Sequence, residues 1–133
     1  MIDLEEKIDY TFTRKRYRDL VLSKSELPKA EVDKKRKFRI LAMYGDIILR
    51  FAVWEHLESA SDMTALFKRE TKTFKEEINE KIQEMIMNKN LETIASKRKL
   101  DLTSDGMEAL IGAIWKDSDF ENAKQFALEM LEI

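Results

Sequence analysis

Three glycines and a single proline in 133 residues leave this chain almost no turn chemistry. Sheets need frequent tight turns, and glycine and proline are the residues that make them. An all-β or α/β chain is therefore excluded, and helices are expected throughout. The length fits one domain over residues 1–133, and 44% hydrophobic residues are enough for a core without staples. With no cysteine there is no disulfide framework, no Cys-ligated zinc and no thiol nucleophile. The lone histidine, His56, excludes HExxH zinc chemistry, and any catalytic triad would have to be built on it alone. No apolar run approaches a bilayer span, and the opening MIDLEEKIDY is acidic with no signal-peptide core. A soluble, cytoplasmic protein with no membrane partner is expected.

Periodicity divides the chain into about seven helices in a single compact all-α bundle. Residues 2–10 carry Ile2, Leu4 and Ile8 among acids, and 14–22 form a helix with Tyr17, Leu20 and Val21 on its apolar side. A polar connector holding Pro28 runs from Ser23 to about Asp33. From Ile40 to Trp54 only Gly45, Asp46 and Arg50 interrupt a hydrophobic run, so this helix is expected in the middle of the fold, apolar on all sides. Ser59 or Ser61 can cap a helix over 62–70. The next, over 73–88, has its stripe on Phe74, Ile78, Ile82, Met85 and Ile86, with Glu76, Glu77, Glu80, Lys81 and Glu84 elsewhere. A short helix over 91–98 precedes a nearly all-apolar one over 105–116, for which Asp101, Thr103 and Ser104 are candidate caps. Ser118 or Asp119 caps an amphipathic terminal helix. Tyr44, Trp54, Trp115 and the seven methionines read as core, and His56 as a cap or surface contact.

All three glycines lie inside the two most hydrophobic helices: Gly45 in one, Gly106 and Gly112 in the other. A mid-helix glycine costs about 1 kcal/mol against alanine, and close approach of two helix backbones is the simplest offset. The same helices hold the only acids in apolar surroundings, Asp46 in one and Asp105 with Glu108 in the other. A buried isolated carboxylate must be paired, protonated or bound to metal. Asp105 and Glu108, at i and i+3, share a face and repel, and a divalent cation between them and Asp46 would reverse that repulsion. Oxygen-only ligation suits Mg²⁺ or Mn²⁺, which can activate a water for phosphodiester hydrolysis. A structural account stands beside this one: Arg50, at i+4, can pair with Asp46, and Asp105 sits near a helix start, where the macrodipole favours acids.

Half of the chain's 24 basic residues fall in three short clusters. Arg14, Lys15, Arg16 and Arg18 form one. Lys34, Lys35, Arg36, Lys37 and Arg39 precede the Asp46 helix, and Lys97, Arg98 and Lys99 precede the Asp105 helix. Such clusters can grip a phosphate backbone, or simply make a solvated surface.

The stretch SDGMEALIGAIWKD followed by FENAKQFALEML resembles the second conserved stretch of ribonuclease III catalytic domains, D-A-x-E-A-x-I-G-A-I-Y-x-D and then a helix G-x-x-x-A-x-x-F. LAMYGDIIL resembles the G-D end of that family's N-E-R-L-E-F-L-G-D-x-x-L, and LEEKIDYTFTRKRYRDLVLSKSE resembles its start. The resemblance implies an all-α nuclease domain in which Asp46, Asp105 and Glu108 hold Mg²⁺ for hydrolysis of double-stranded RNA. It also implies a homodimer with two active sites along one RNA groove, the hydrophobic excess of 40–54 being consistent with an interface. One departure stands out. The signature glutamate four residues before the aspartate is Ala42 here, and the preceding glutamate is Arg39. The mini-ribonuclease III branch also has alanine at that place and likewise lacks an RNA-binding domain, and none is expected here. Substrate binding would then rest on Lys34, Lys35, Arg36, Lys37, Arg39, Lys97, Arg98 and Lys99.

Two other readings remain, and a third is discounted. A relative disabled by the alanine could bind RNA or protein without cleaving. A helical dimeric scaffold would have no RNA affinity. The all-α pyrophosphohydrolase pattern ExxE…ExxD is met only in its first half, at Glu55 and Glu58.

Overall fold

The computed structural model describes residues 3–23, 32–60 and 74–133. Within them the chain forms seven helices: α1 (Leu4–Ile8), α2 (Lys15–Leu22), α3 (Val32–Ala60), α4 (Phe74–Ile86), α5 (Asn88–Lys97), α6 (Ser104–Asp117) and α7 (Phe120–Leu131). The Pro28 connector, Ser61 and the expected helix over 62–70 lie outside the described residues.

Helix starts follow the capping logic of the sequence. Asp3 accepts from the Glu6 N–H at 3.0 Å, Thr103 from Gly106 at 3.0 Å, and Asp119 from Asn122 at 2.8 Å. Ser59 is no cap for a following helix, because α3 runs through it and its hydroxyl donates back to the His56 carbonyl at 3.1 Å. α5 begins three residues earlier than the apolar pattern suggests, since Asn88, Lys89 and Asn90 make its first turn without apolar side chains.

α6 is the central rod. It packs on α3, α7, α2 and α5, and ten of its residues are buried, among them Met107, Leu110, Ile111 and Ile114. Beside it α3 contributes Phe38, Leu41, Ile48, Leu49, Ala52 and Val53, and α7 adds Ala123, Phe126, Ala127 and Met130. The N-terminal segment straps this core. Phe12 is fully buried and meets Tyr10 edge-on, with ring centroids 4.9 Å apart. Glu5 ties α1 to α2 by accepting from Lys15 at 2.8 Å, from Arg18 at 2.9 Å and from the Phe12 N–H at 2.6 Å, which holds its carboxyl down at about 2.

Two expectations are corrected. The segment 40–54 is not enclosed on all sides: Ile40, Met43, Ile47, Phe51 and Trp54 are exposed, Met43 at 67% and Ile47 at 60%. These positions recur at helical spacing and form one outward row on the side of α3 away from α6. Trp54 is therefore not core, and neither are Met43 and Met87. Glu77, read as lying off the apolar stripe of α4, is buried at 7% exposure. No helix among the described residues is long and apolar enough to cross a membrane.

Candidate active site

The site begins with two glycines. A Cβ at Gly45 would overlap the Glu108 carbonyl and stand 3.0 Å from its Cα; a Cβ at Gly112 would overlap the Leu41 carbonyl and stand 3.1 Å from its Cα. The pairs 45/108 and 41/112 run in opposite directions, so α3 and α6 are antiparallel and touch backbone to backbone over one turn. Only glycine allows this contact. Gly106 is different: its neighbours are side-chain atoms of Leu102 and Thr103 at 3.2–3.4 Å, so it reflects local crowding at the cap and not a crossing.

The contact sets Asp46, next to Gly45, beside Glu108. Burial first, and then the charges of Asp46 and Asp105, push the Glu108 carboxyl up to about 7, with Arg50 only partly opposing. The three acids singled out in the sequence thus share one electrostatic neighbourhood. Glu108 is half-buried within it, while Asp105 is exposed in the first turn of α6. Asp46 is already engaged: Arg50 Nε donates to its Oδ2 at 3.0 Å, and Arg50 Nη2 donates to Gln83 Oε1 of α4 at 3.3 Å. Both readings of Asp46, ion pair and acid cluster, are therefore present together. Among the described residues no group of three or more acidic or imidazole side chains is gathered into a set that could hold a metal ion as it stands. The acids form a charge cluster rather than a closed cage. Their donor chemistry, carboxylate oxygens whose excess of negative charge Arg50 only partly offsets, fits a hard divalent cation.

The basic residues are spread more widely than their sequence clusters suggest. Lys34 to Arg39 do not precede the Asp46 helix; they are its own first turns. The 3.6-residue period then divides them. Lys35, Arg39 and Ala42 lie on the flank of Asp46, and Arg36 lies on the outward apolar row. Lys34 and Lys37 line a groove with Leu41 on the far side of α3. Of the third cluster, Lys97 pairs with Glu132 at 2.9 Å and Arg98 donates to the Glu129 carbonyl at 3.0 Å, tying α5 to the end of α7. Lys99 takes a left-handed backbone, φ 59°, and its carbonyl accepts from Lys7 at 2.7 Å. In the first cluster Lys15 and Arg18 serve Glu5.

A second buried carboxylate, besides Glu77, escaped the sequence reading. Asp117, whose side chain is fully enclosed, accepts from Tyr10 Oη at 2.6 Å and from the N–H groups of Thr13 and Arg14 at 2.9 and 2.7 Å. Burial works to raise its pKa, but these bonds and the Arg14 charge outweigh it and hold the carboxyl below its usual range. Tyr10 is pushed up to about 12, by burial and then by Asp117. Both oxygens of this acid are bonded to the N-terminal strap, so its work is structural.

No protein-family model and no curated protein matches the chain. Solved structures do. The nuclease domain of ribonuclease III from Campylobacter jejuni superposes with a TM-score of 0.67 at 22% identity, covering 99% of this chain and 95% of that one. The chain has the ribonuclease III nuclease-domain fold. A second structure of the Campylobacter domain, described for structural flexibility in a region involved in dimer formation, gives a TM-score of 0.68 at 22% identity over 97% of this chain and 94% of that one. At this identity the ribonuclease III likeness is one of fold.

Proposed function

We propose that the protein is a Mg²⁺- or Mn²⁺-dependent endoribonuclease that hydrolyses double-stranded or structured RNA, working in cytoplasmic RNA processing. The observation that carries this reading is the backbone contact of Gly45 with Glu108, which brings Asp46 of one helix to Glu108 and Asp105 of the other; the upward shift of the Glu108 carboxyl accords with it. Asp46, Asp105 and Glu108 are the residues that would hold the ion. When bound, it would supply an activated water and offset charge on the leaving oxygen. For Asp46 to take part it must exchange Arg50, an exposed i,i+4 pair worth only about 0.3–0.5 kcal/mol. That is small beside the repulsion a cation would relieve. Lys35 and Arg39 on the same flank are placed to meet RNA phosphates. We assign weaker roles to Lys34, Arg36, Lys37, Lys97, Arg98 and Lys99, which face elsewhere or are engaged.

The outward row Ile40, Met43, Ile47, Phe51 and Trp54 supports a homodimer. Five large apolar side chains aligned on one helix face mark a partner surface, not ordinary scatter. The dimer-forming region of the Campylobacter domain supports the same assignment.

Ala42 and the Asp46–Arg50 pair favour a second reading, in which the same fold binds RNA or protein without cleaving it. One gel separates the two. A short RNA duplex is incubated with the protein, with and without Mg²⁺ or Mn²⁺, alongside Asp46→Asn and Glu108→Gln. Metal-dependent cleavage lost in both variants supports the nuclease. Retention of duplex at low salt without cleavage supports the binding module, and the absence of both removes RNA from the account.

A further inference from the structure

On the far side of α3 from Asp46, the first turns of that helix, α2 and the end of α6 enclose a groove of about 640 Å³. This is within the usual range for a small-molecule site. Its cations set it apart. Arg16, Lys34, Lys37 and Lys116 all line it, from three different helices. The two acids on its wall are accounted for: Asp19 pairs with Arg18 at 3.0 Å and Asp33 with Lys37 at 3.1 Å. Among the described residues Arg16, Lys34 and Lys116 have no carboxylate partner. Three such cations around one concavity, in a chain of net charge −2, repel one another unless an anion sits between them.

The rest of the wall specifies more than a bare anion. The Tyr17 ring stands by two guanidinium groups, Arg16 at 5.0 Å and Arg14 at 5.1 Å from its centroid, and Arg16 Nη2 donates to Tyr17 Oη at 3.2 Å. Arg16 and Tyr17 line the groove side by side, a cation next to an aromatic ring. Leu20, Ile40 and Leu41 make an apolar floor. Lys116 is held in position by resting over the rings of Tyr44 at 4.4 Å and Trp115 at 4.7 Å, which meet each other at 4.3 Å with their planes tilted by 53°. A ligand with a flat ring at one end and a phosphate at the other satisfies all of these features.

We propose that this groove binds a phosphorylated nucleoside, its ring set against Arg16 and Tyr17 and its phosphate between Lys34 and Lys116. The site is separate from the acid cluster, and the inference does not depend on the nuclease reading. The same chemistry could come from a free nucleotide or from the 5′-phosphorylated end of an RNA strand.

The test is calorimetric titration of the whole chain with AMP, adenosine and inorganic phosphate. Saturable AMP binding, about tenfold or more tighter than either adenosine or phosphate, is expected. Lys34→Gln, which removes one charge, Lys116→Gln, which removes a charge and its contacts with Tyr44 and Trp115, and Tyr17→Leu, which removes the ring, should each weaken AMP about tenfold or more. Asp46→Asn should bind AMP as the parent does, so failure of the nuclease reading leaves this result standing. Displacement of AMP by a 5′-phosphorylated oligonucleotide, but not by its 5′-hydroxyl counterpart, identifies an RNA end; displacement by neither identifies a free nucleotide. No AMP binding, equal binding of phosphate or adenosine, or binding indifferent to the Lys34, Lys116 and Tyr17 changes would each overturn the proposal.

Discussion

Gly45 lies against the peptide carbonyl of Glu108 so closely that a single methyl group at position 45 would occupy the same space. Gly112 has the same relation to Leu41 one turn away. Gly45→Ala and Gly112→Ala should therefore destabilise the protein by about 2 kcal/mol or more, because backbone must separate, even though alanine favours helix by about 1 kcal/mol. Gly106→Ala, whose neighbours are side-chain atoms at 3.2 Å and beyond, should change stability by less than about 1 kcal/mol. Urea unfolding of the three variants checks this, and equal effects at all three positions would contradict the crossing.

Glu108 should make the metal-free protein less stable as pH rises. Its folded pKa of about 7 lies above the ordinary 4.5. The folded state thus holds the proton more tightly, and the stability this gives is complete below 4.5 and lost as pH rises through 7. Glu108→Gln should stabilise the protein at pH 8 by on the order of 1–2 kcal/mol after allowance for solvent screening, which is read as a higher melting temperature. The gain over the parent should vanish near pH 4.5. Thermal scans in chelator across that range are the check, and a gain independent of pH would show that Glu108 is not strained by its neighbours.

Asp117 should behave in the opposite sense. Asp117→Asn turns an amide NH₂ towards donors from Tyr10, Thr13 and Arg14, and should cost about 2–4 kcal/mol. Because the carboxyl is held below 3.8, its contribution is present at neutral pH and is lost as acid titrates it below that value. The parent–variant difference in unfolding midpoint should shrink in acid. A variant as stable as the parent at pH 7 would remove Asp117 as the anchor of the strap.

The outward face of α3 should control assembly. In sedimentation velocity runs the parent should sediment as the proposed homodimer, and Ile47→Lys, at a position 60% exposed, should leave the fold intact and sediment as a monomer. A monomeric parent would contradict the dimer, and a dimeric variant would place the partner surface elsewhere.

Much of this was legible in the residues. Glycines confined to two apolar helices already pointed to a close crossing, which holds for Gly45 and Gly112 but not for Gly106, and the same crossing brings Asp46 to Glu108. The i,i+4 spacing of Asp46 and Arg50 announced their pair. What could not be read arises from tertiary placement. An all-apolar segment does not reveal whether its second face meets its own core or another surface, so Trp54 and Met43 read as interior. A run of lysines and arginines with only Phe38 and Leu41 to mark its period does not show that the helix starts at Val32, nor that Lys34 and Lys35 face opposite flanks. Asp117 closes the stretch SDGMEALIGAIWKD, but its neighbours give no sign that it is buried; its partners are about a hundred residues earlier in the chain.

The measurement that bears most directly on the acid cluster is Mn²⁺ titration of the parent, Asp46→Asn and Glu108→Gln by calorimetry. Saturable binding by the parent that weakens about tenfold or more in each variant is the predicted result. Equal binding by all three, or none by the parent, would show that these carboxylates do not act together on a cation.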